Sequence, residues 1–251
     1  MNLHAPPVVI LVRPQLGENI GAAARAMMNC GLIEMRLVAP RDGWPNPAAL
    51  PMAAGGASII ENATVHDSVA EAAHDLTFLA ALSARRRDMP VRVSDPRAVT
   101  GTLLHHGAKA GLMFGPEASG LDNEDVVRAD CLVTADLNPN YPSLNLAQAV
   151  LLMAWEWRAA GTTATTTTTL SGQQHQTPVD VATILERDKF HERLEAELDR
   201  GGFFISPEMA PAVKRNLRAL FGRAAPTSQE ISTLHGVIQA LTKMRDRSKS
   251  G

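Results

Sequence analysis

Two loops in the stretch 111–150 carry the residue types best suited to surround a ligand. The apolar run at 111–114 predicts a buried strand, after which Gly115 and Gly120 let the chain turn where side chains would collide with their surroundings. Glu117 is the lone carboxylate between these glycines. A strand-to-helix turn with acidic caps would use the same residues, so this loop alone favours a ligand site and a structural turn equally.

The second loop has the sequence NPNYPSLNL at 138–146 and follows a predicted strand at 131–135. Its asparagines and prolines disfavour regular structure, and Ser143 is a residue type that caps helices. We predict a helix from 144 to 158, with Ser143 either as its N-cap or as a ligand contact. Asn145 lies in the first turn of this helix, and we expect its amide to be free to bind or orient a ligand.

Arg25 is the third candidate, because its guanidinium supplies a fixed positive charge on the first predicted helix. A strand at 8–12 precedes this helix, which is predicted at 19–30. The buried stripe of the helix consists of Ile20, Ala24, Met27, Met28 and Gly31. Arg25 falls roughly 140° from the start of that stripe, at about 100° per residue. A surface arginine is the ordinary explanation, but a glycine one turn earlier permits a close approach and favours a role in the site.

These candidates are positioned by strands and helices that alternate up to about residue 160, a pattern typical of a parallel sheet covered on both faces. The predicted strands lie at 8–12, 35–39, 76–80, 110–114 and 131–135. The predicted helices lie at 19–30, 68–74, 121–128 and 144–158, and Asp122, Glu124 and Asp125 suit the first turn of the third. The predicted fold class is therefore α/β.

A polar, low-complexity segment at 161–178 contains the run TTATTTTTLSGQQHQTP and is predicted to be a mobile linker. It divides the chain into domains at 1–160 and 179–251. In the second domain, three apolar stripes predict a small bundle of amphipathic helices. The stripes contain Phe190, Leu194 and Leu198; Val213, Leu217, Leu220 and Phe221; and Ile231, Leu234, Val237, Ile238 and Leu241.

The charge of the chain is unevenly distributed. Its formal net charge is −2, but the part from Arg200 onward holds nine Lys and Arg against three Asp and Glu, so that this part carries +6 and the first 199 residues carry −8. In the middle helix of the predicted bundle, Lys214, Arg215 and Arg218 are expected to face outward, about 120° from the apolar stripe. A basic section on an acidic protein indicates contact with a polyanion, although a solvated helix face would show the same pattern.

Composition and motif content argue against several other classes of protein. With 251 residues, 45% hydrophobic and 20% charged, the chain can bury a sizeable core and is expected to be a soluble globular protein. Cys30 and Cys131 match no metal-ligand spacing, so we expect two buried thiols, no metal and no disulfide. No apolar run approaches the roughly 20 residues that span a bilayer, and no leader pattern is present, which predicts a cytoplasmic protein. Neither dinucleotide nor P-loop fingerprints occur.

Three groups of residues resemble the three ordered motifs of the SpoU/TrmH branch of the SPOUT RNA 2′-O-methyltransferases. The groups are Pro14, Asn19, Gly21 and Arg25; Phe114, Gly115, Glu117, Gly120 and Leu121; and the run NPNYPSLNL. The form of the third motif resembles the bacterial tRNA cytidine/uridine 2′-O-methyltransferases. So does a C-terminal segment with the pattern FxxxLxxxLxxxGF followed by RxLFxRAxPxxQE. The resemblance covers nearly the whole chain.

This resemblance implies a C-terminal trefoil knot in the α/β domain, whose loops bind S-adenosylmethionine. By matching positions, the implied cofactor contacts are Leu82, Ser83, Ala84, Gly115, Ala135, Pro142, Ser143 and Leu144. Pro142 stands where the closest relatives commonly have serine, which removes a hydroxyl and an N–H group from the loop. The Thr-rich linker has no counterpart in the family pattern.

The implied reaction moves a methyl group from S-adenosylmethionine to the 2′-oxygen of a tRNA ribose, with position 32 of the anticodon loop as the implied target and either cytidine or uridine as the base. Arg25 would hold the target hydroxyl and a flanking phosphate, because a guanidinium stays protonated and serves poorly as a general base. A phosphate oxygen or water would then accept the proton. Asn19 would orient Arg25 or the nucleotide, while Glu117, Ser143 and Asn145 hold the loops and orient the substrate.

The resemblance also implies a homodimer in which Arg25 of one subunit approaches the cofactor of the other. Lys214, Arg215 and Arg218 join Arg25 as implied RNA contacts. Helix 144–158 carries Leu151, Leu152, Trp155 and Trp157, which suit either the dimer interface or the core.

Three other functions stay open for the chain at this point. It could methylate ribosomal RNA or another tRNA position, it could bind RNA without catalysis, or it could be an unrelated α/β enzyme with a phosphate-bearing substrate. The candidate catalytic residues speak against the second function, and the basic C-terminal section is not needed for the third.

Overall fold

The structure, a computed structural model, describes residues 5–83, 91–168 and 180–249. Its strands are β1 (Val8–Val12), β2 (Met35–Val38), β3 (Thr64–His66), β4 (Phe78–Leu82), β5 (Arg92–Ser94), β6 (Ala110–Phe114) and β7 (Cys131–Val133). Within the described ranges these seven strands form one sheet in the order β3-β2-β1-β6-β4-β7-β5. Every neighbouring pair is parallel, which confirms the predicted parallel sheet.

Helices connect the strands and form the C-terminal region. They are α1 (Gly17–Cys30), α2 (Ala49–Ala53), α3 (Ala57–Glu61), α4 (Val69–Ala72), α5 (Pro96–His106), α6 (Asn123–Val126), α7 (Leu146–Thr168), α8 (Ile184–Arg200), α9 (Ala210–Ala224) and α10 (Ser228–Lys249). No described helix combines the length and the apolar composition that crossing a bilayer requires.

The central strands are buried on both faces, because their side chains alternate between two hydrophobic clusters. Val9 and Leu11 of β1 belong to the cluster that contains the buried faces of α1, α5 and α7. Val8 and Ile10 belong to the cluster covered by α4 and α6. Trp157 is 2% exposed and lies in the first cluster, so this residue of α7 is part of the core. The α/β architecture predicted from the alternating pattern is confirmed.

The sequence prediction missed β3, β5 and the helices α2, α3 and α5. The two missed strands have three residues each at the edges of the sheet, with largely exposed side chains that leave little hydrophobic pattern. Helix α5 did carry a recognisable start, because Asp95 accepts hydrogen bonds from two N–H groups of the first turn and Pro96 follows it. The strand predicted at 76–80 lies two residues later, at Phe78–Leu82.

Helix α7 is longer than predicted, since it continues beyond Arg158 to Thr168 and enters the expected linker. Threonine has only a modestly lower helix propensity than most residues, so it does not end a helix, and the Thr162 hydroxyl donates to the carbonyl of Arg158 at 3.0 Å. The rest of the expected linker, 169–178, lies outside the described residues.

The C-terminal helices pack around a small apolar cluster, as predicted. It contains Ala182, Phe190, Ile231 and Ile238, with Leu194, Phe221 and Leu234 packed against it. Six residues of the predicted stripes lie outside this core, and three of them, Leu220, Val237 and Leu241, are 53%, 49% and 64% exposed. The core of the three-helix bundle therefore contains fewer residues than the apolar pattern predicts.

The predicted basic arc of α9 is paired with carboxylates of neighbouring helices. Arg218 is 16% exposed in its side chain and donates to Glu195 at 3.0 Å. Lys214 Nζ lies 3.5 Å from Glu195, and Arg215 lies 3.7 Å from Glu124 of α6. The expectation that these cations face outward is wrong for Arg218, whereas Lys214 and Arg215 remain 39% and 29% exposed beside their carboxylate partners. Helical spacing within α9 could not show these carboxylates, because they belong to other helices.

Candidate active site

A cleft with a volume of about 260 Å³ lies where the carboxyl ends of β4, β6 and β7 meet. Strand β4 lies between β6 and β7, so the loops that follow these parallel strands emerge side by side. The cleft is lined by Leu82 and Ser83, by 114–120, by Ala135, Leu137 and 142–144, and by Leu146 and Ala149 of α7. The two loops singled out in the sequence therefore form its walls.

The structure brings the predicted cofactor residues together in this cleft. Its lining includes Leu82, Ser83, Gly115, Ala135, Pro142, Ser143 and Leu144. Ala84 lies outside the described residues. The apolar wall also contains Leu137, Leu146 and Ala149, which the sequence prediction did not include. Their positions follow from the path of the loop between β7 and α7, which no periodic pattern predicts.

Gly115 allows the first loop to fold back on itself. A Cβ atom at this position would lie 2.5 Å from the carbonyl carbon of Gly120 and would also collide with the N–H group of Leu121. Gly120 has a φ of +68° and donates its N–H to the carbonyl of Pro116 at 2.8 Å. The prediction that Gly115 permits a close backbone approach is confirmed.

A chain of hydrogen bonds joins the N-terminal segment to both loops of the cleft. Asn145 Nδ2 donates to Asn19 Oδ1 at 3.0 Å, and Asn19 Nδ2 donates to Glu117 Oε1 at 2.7 Å. The other carboxylate oxygen of Glu117 accepts the backbone N–H of Gln15 at 2.9 Å. Asn19, Glu117 and Asn145, which come from three distant parts of the sequence, are thus assembled beside the cleft.

Asn145, and not Ser143, caps helix α7. Asn145 Oδ1 accepts the N–H of Ala147 at 2.9 Å, and the Asn145 carbonyl accepts the N–H of Ala149. Both side-chain atoms of Asn145 are therefore engaged, so the expectation of a free amide is wrong. Ser143 lies exposed in the cleft wall, and its hydroxyl makes no hydrogen bond within the described ranges of the chain.

Replacing Glu117 with glutamine should weaken the junction of the loops. The carboxylate of Glu117 has two acceptor oxygens, whereas glutamine has one acceptor oxygen and one NH2 group. The NH2 group would therefore face a second donor, either the side-chain amide of Asn19 or the backbone N–H of Gln15. We expect Glu117→Gln to lower the free energy of unfolding by about 1–3 kcal/mol in urea titrations. Glu61→Gln, at an exposed position on α3, is the matched control and should leave it unchanged. Equal stability of the two variants would contradict the role of Glu117 in the junction.

Arg25 is exposed on α1 and does not line the cleft of its own chain. Within the described residues its guanidinium makes no hydrogen bond or ion pair. The close approach expected one turn earlier is present, because a Cβ on Gly21 would lie 2.9 Å from the carbonyl carbon of Ala49. Gly21 therefore serves the packing of α1 against α2. Arg25 is not part of this contact and lies on the surface.

Arg13 is a residue of the site region that the sequence prediction missed. It lies at the end of β1 with a φ of +46°, and its guanidinium contacts Asp125 and, at 3.0 Å, Asp122. The hydrogen bond to Asp125 raises the pKa of Arg13. Asp122 and Asp125 form the capping box of α6, as their acidic types predicted, so Arg13 ties the far end of the Gly115 loop to β1. The pairing spans more than a hundred residues, and no local pattern predicts it.

Both cysteines are buried and free, as predicted, and burial raises the pKa of the Cys131 thiol to about 11. Within the described part of the chain, no group of three His, Cys, Asp or Glu side chains could hold a metal ion.

Comparison with known proteins agrees with this geometry. The chain matches the SpoU rRNA Methylase family over residues 6–155 and the C-terminal domain of the tRNA methyltransferase TrmJ over residues 186–250. It is 34% identical over 240 residues to the tRNA (cytidine/uridine-2′-O-)-methyltransferase TrmJ of Pectobacterium atrosepticum, covering 95% of this chain and 97% of that protein. It is also 34% identical over 242 residues to the tRNA (cytidine/uridine/adenosine-2′-O-)-methyltransferase TrmJ of Pseudomonas aeruginosa, covering 94% and 93%.

A solved structure shows the same architecture over nearly the full length. The crystal structure of TrmJ from Z. mobilis ZM4 has a TM-score of 0.85 and 42% sequence identity, and the match covers 95% of this chain and 100% of that one. Both the α/β part and the C-terminal helices thus have counterparts in one relative. The chain therefore belongs to the SpoU methylase family, with a C-terminal region of the TrmJ type.

Proposed function

We propose that this protein is an S-adenosylmethionine-dependent tRNA 2′-O-ribose methyltransferase that acts in the cytoplasm on cytidine or uridine at position 32 of the anticodon loop. The observation that carries the proposal is the assembly of three separate sequence motifs around one cleft, joined through Asn19, Glu117 and Asn145. The names of the relatives support tRNA as the substrate. The proposal keeps the division into 1–160 and 179–251, which the two matched ranges support.

The residues of the cleft fit S-adenosylmethionine. Leu82, Phe114, Leu137 and Leu144 supply apolar surface for an adenine ring, and exposed backbone of the loops can bind its polar edge. Gly115 lets the backbone of Gly120 and Leu121 close against it, which shapes this wall of the cleft. When bound, S-adenosylmethionine supplies an electrophilic methyl group on a sulfonium. The proposal includes a trefoil knot formed by the loops that follow β6 and β7.

Arg25 is assigned the central role in activating the ribose hydroxyl. A guanidinium can donate to a phosphate oxygen and to the 2′-oxygen together, which orients the nucleotide and stabilises negative charge on the oxygen. It cannot readily accept a proton, so a phosphate oxygen or a water molecule takes the proton of the hydroxyl. Ser143 orients substrate or cofactor through its exposed hydroxyl.

The proposal includes a homodimer with shared sites. Arg25 is exposed and outside the cleft of its own chain, so a second copy can bring it to that copy's cleft. Leu151 and Trp155 of α7 are 43% and 61% exposed, and this helix packs beside α1. Pairing through this apolar surface would place two α1 helices near the junction of the subunits.

The C-terminal helices are assigned to RNA contact. Lys214 and Arg215, with side chains 39% and 29% exposed, can exchange their carboxylate partners for RNA phosphates. Arg218 is more enclosed and orders Glu195, so it supports this surface from behind.

The test is methyl transfer from radiolabelled S-adenosylmethionine to tRNA transcripts, followed by mapping of 2′-O-methyl groups. We expect incorporation at ribose 32 of substrate tRNAs, with none in ribosomal RNA. Incorporation elsewhere would identify another target of the same chemistry and overturn the proposed position. Binding of RNA without incorporation would identify a binding protein, and failure to bind S-adenosylmethionine would overturn the proposal as a whole.

A further inference from the structure

We propose that a second pocket, between the sheet and the helical bundle, binds a single phosphate group. The pocket has a volume of about 30 Å³. One side is formed by β5 and the connection from α6 to β7, and the other by α8 and α9, so an occupant would contact both parts of the chain. Its described lining shares no residue with that of the cleft. The proposal does not depend on methyl transfer.

Positive charge dominates this pocket. Its charged lining residues are Arg92, Arg128, Arg187, Arg218, Arg223, Asp130 and Asp188. Arg187 pairs with Asp130, and Arg218 donates to Asp188 at 2.8 Å and to Glu195 at 3.0 Å. Even with Glu195 included and Arg223 left out of the count, the arginines outnumber the carboxylates by four to three. The excess favours an anionic occupant.

Three polar atoms at the pocket are buried without a hydrogen-bond partner in the described part of the chain. Two of them, Arg187 Nε and His191 Nδ1, belong to residues that are 7% and 5% exposed. The third is Arg128 Nε, which lies 3.7 Å from Asp188, beyond hydrogen-bond distance. Because buried N–H groups nearly always have a partner, these atoms indicate an occupant that accepts hydrogen bonds.

The imidazole of His191 helps to decide between water and an anion. Burial, together with Arg218 and Arg187, lowers the pKa of His191 to about 3, so the ring is neutral near pH 7. With its proton on Nδ1 the ring would donate beside the two arginine Nε–H groups. A phosphate has enough acceptor oxygens for all three donors and offsets the excess charge, whereas one water accepts two bonds and leaves the charge unchanged.

Gly222 of α9 offers a direct test, because it lines the pocket and a Cβ atom there would meet nothing within 4 Å. Gly222→Glu would place a carboxylate at the pocket and replace the anion. Gly236→Glu on α10 is the matched control, since its Cβ also meets nothing within 4 Å and it does not line the pocket. The readout is the melting temperature of the full chain during titration with inorganic phosphate, at constant ionic strength set with sodium chloride.

We expect phosphate to raise the melting temperature of the wild type and of Gly236→Glu by a few degrees, with saturation, because it binds only the folded state. Gly222→Glu should not respond. Arg92→Ala removes an exposed cation at the rim of the pocket and should raise the phosphate concentration at half-saturation by about tenfold. This variant serves as the test if Gly222→Glu fails to fold. If phosphate does not raise the melting temperature of the wild type, or raises that of all variants equally, the phosphate site is overturned. The unpartnered atoms would then be assigned to buried water.

Binding of tRNA identifies the source of the phosphate group. If Gly222→Glu binds tRNA about tenfold more weakly than Gly236→Glu, the pocket receives a phosphate of the RNA backbone. If both variants bind tRNA equally while only Gly236→Glu responds to inorganic phosphate, the pocket receives the free anion. Methyl transfer can fail in either case without changing this result, so the two proposals are tested separately.

Discussion

Arg25→Lys is expected to lower the rate of methyl transfer by about a hundredfold or more while leaving the affinity for S-adenosylmethionine unchanged. Lysine keeps the positive charge but loses the planar fork that can contact a phosphate oxygen and the 2′-oxygen together, and losing one donor to a developing oxyanion typically costs this much. Cofactor affinity should persist because Arg25 does not line the cleft of its own chain. Single-turnover rates with tRNA and calorimetric titration with S-adenosylmethionine measure the two quantities.

Arg97→Lys is the matched control for this prediction. Arg97 is another exposed helical arginine, with its side chain 85% exposed, and it contacts Glu156 away from the cleft. Its replacement should leave the rate unchanged. A near-normal rate for Arg25→Lys would remove Arg25 from the mechanism, and an equal loss of cofactor binding would assign it to the cofactor pocket.

Mixing two inactive variants extends the test to the shared sites. A dimer of one Arg25→Ala chain and one Gly115→Ala chain has one site with both defects and one site with neither, if Arg25 serves the cleft of the other subunit. Random exchange of equal amounts should therefore restore about a quarter of the wild-type activity. If the mixture is as inactive as its parents although subunit exchange is demonstrated, Arg25 acts on its own chain or the dimer does not form the site.

The sequence could predict the parts of the fold whose signal is local. Strands β1 and β6 have the predicted bounds because uninterrupted apolar runs mark fully buried parallel strands. The buried stripe of α1 follows helical spacing, although Met28 lies outside it at 36% exposed. Strand β5 was missed because a three-residue edge strand buries too little to leave a pattern.

The candidate site was only partly predictable for the same physical reason. Residue types at turns identified the two loops, since Gly115 and the proline-rich segment restrict the backbone locally. The hydrogen bond between Asn145 and Asn19 joins residues 126 positions apart, so it could be identified only from the folded structure. The carboxylate partners of Arg218 likewise come from α8, and helical spacing within α9 could not show them.

Gly115→Ala is expected to abolish measurable binding of S-adenosylmethionine, with an affinity at least about a hundredfold lower. A Cβ atom 2.5 Å from the Gly120 carbonyl carbon cannot be accommodated unless the backbone of the loop shifts, because no flexible side chain is available to move. The shift would displace the cleft wall between Gly115 and Gly120 and disturb Glu117. Calorimetric titration of the folded variant, with circular dichroism to verify its helices, measures the loss.

Gly101→Ala on α5 separates this local collision from a general effect of losing a glycine. A Cβ there meets nothing within 4 Å, and alanine in a helix interior should stabilise the fold by about 0.5–1 kcal/mol without changing cofactor affinity. If Gly115→Ala binds S-adenosylmethionine as Gly101→Ala does, the fold of the loop over Gly115 does not shape the cofactor pocket. Loss of binding in Gly115→Ala alone, with both variants folded, ties the cofactor to the turn that only glycine permits.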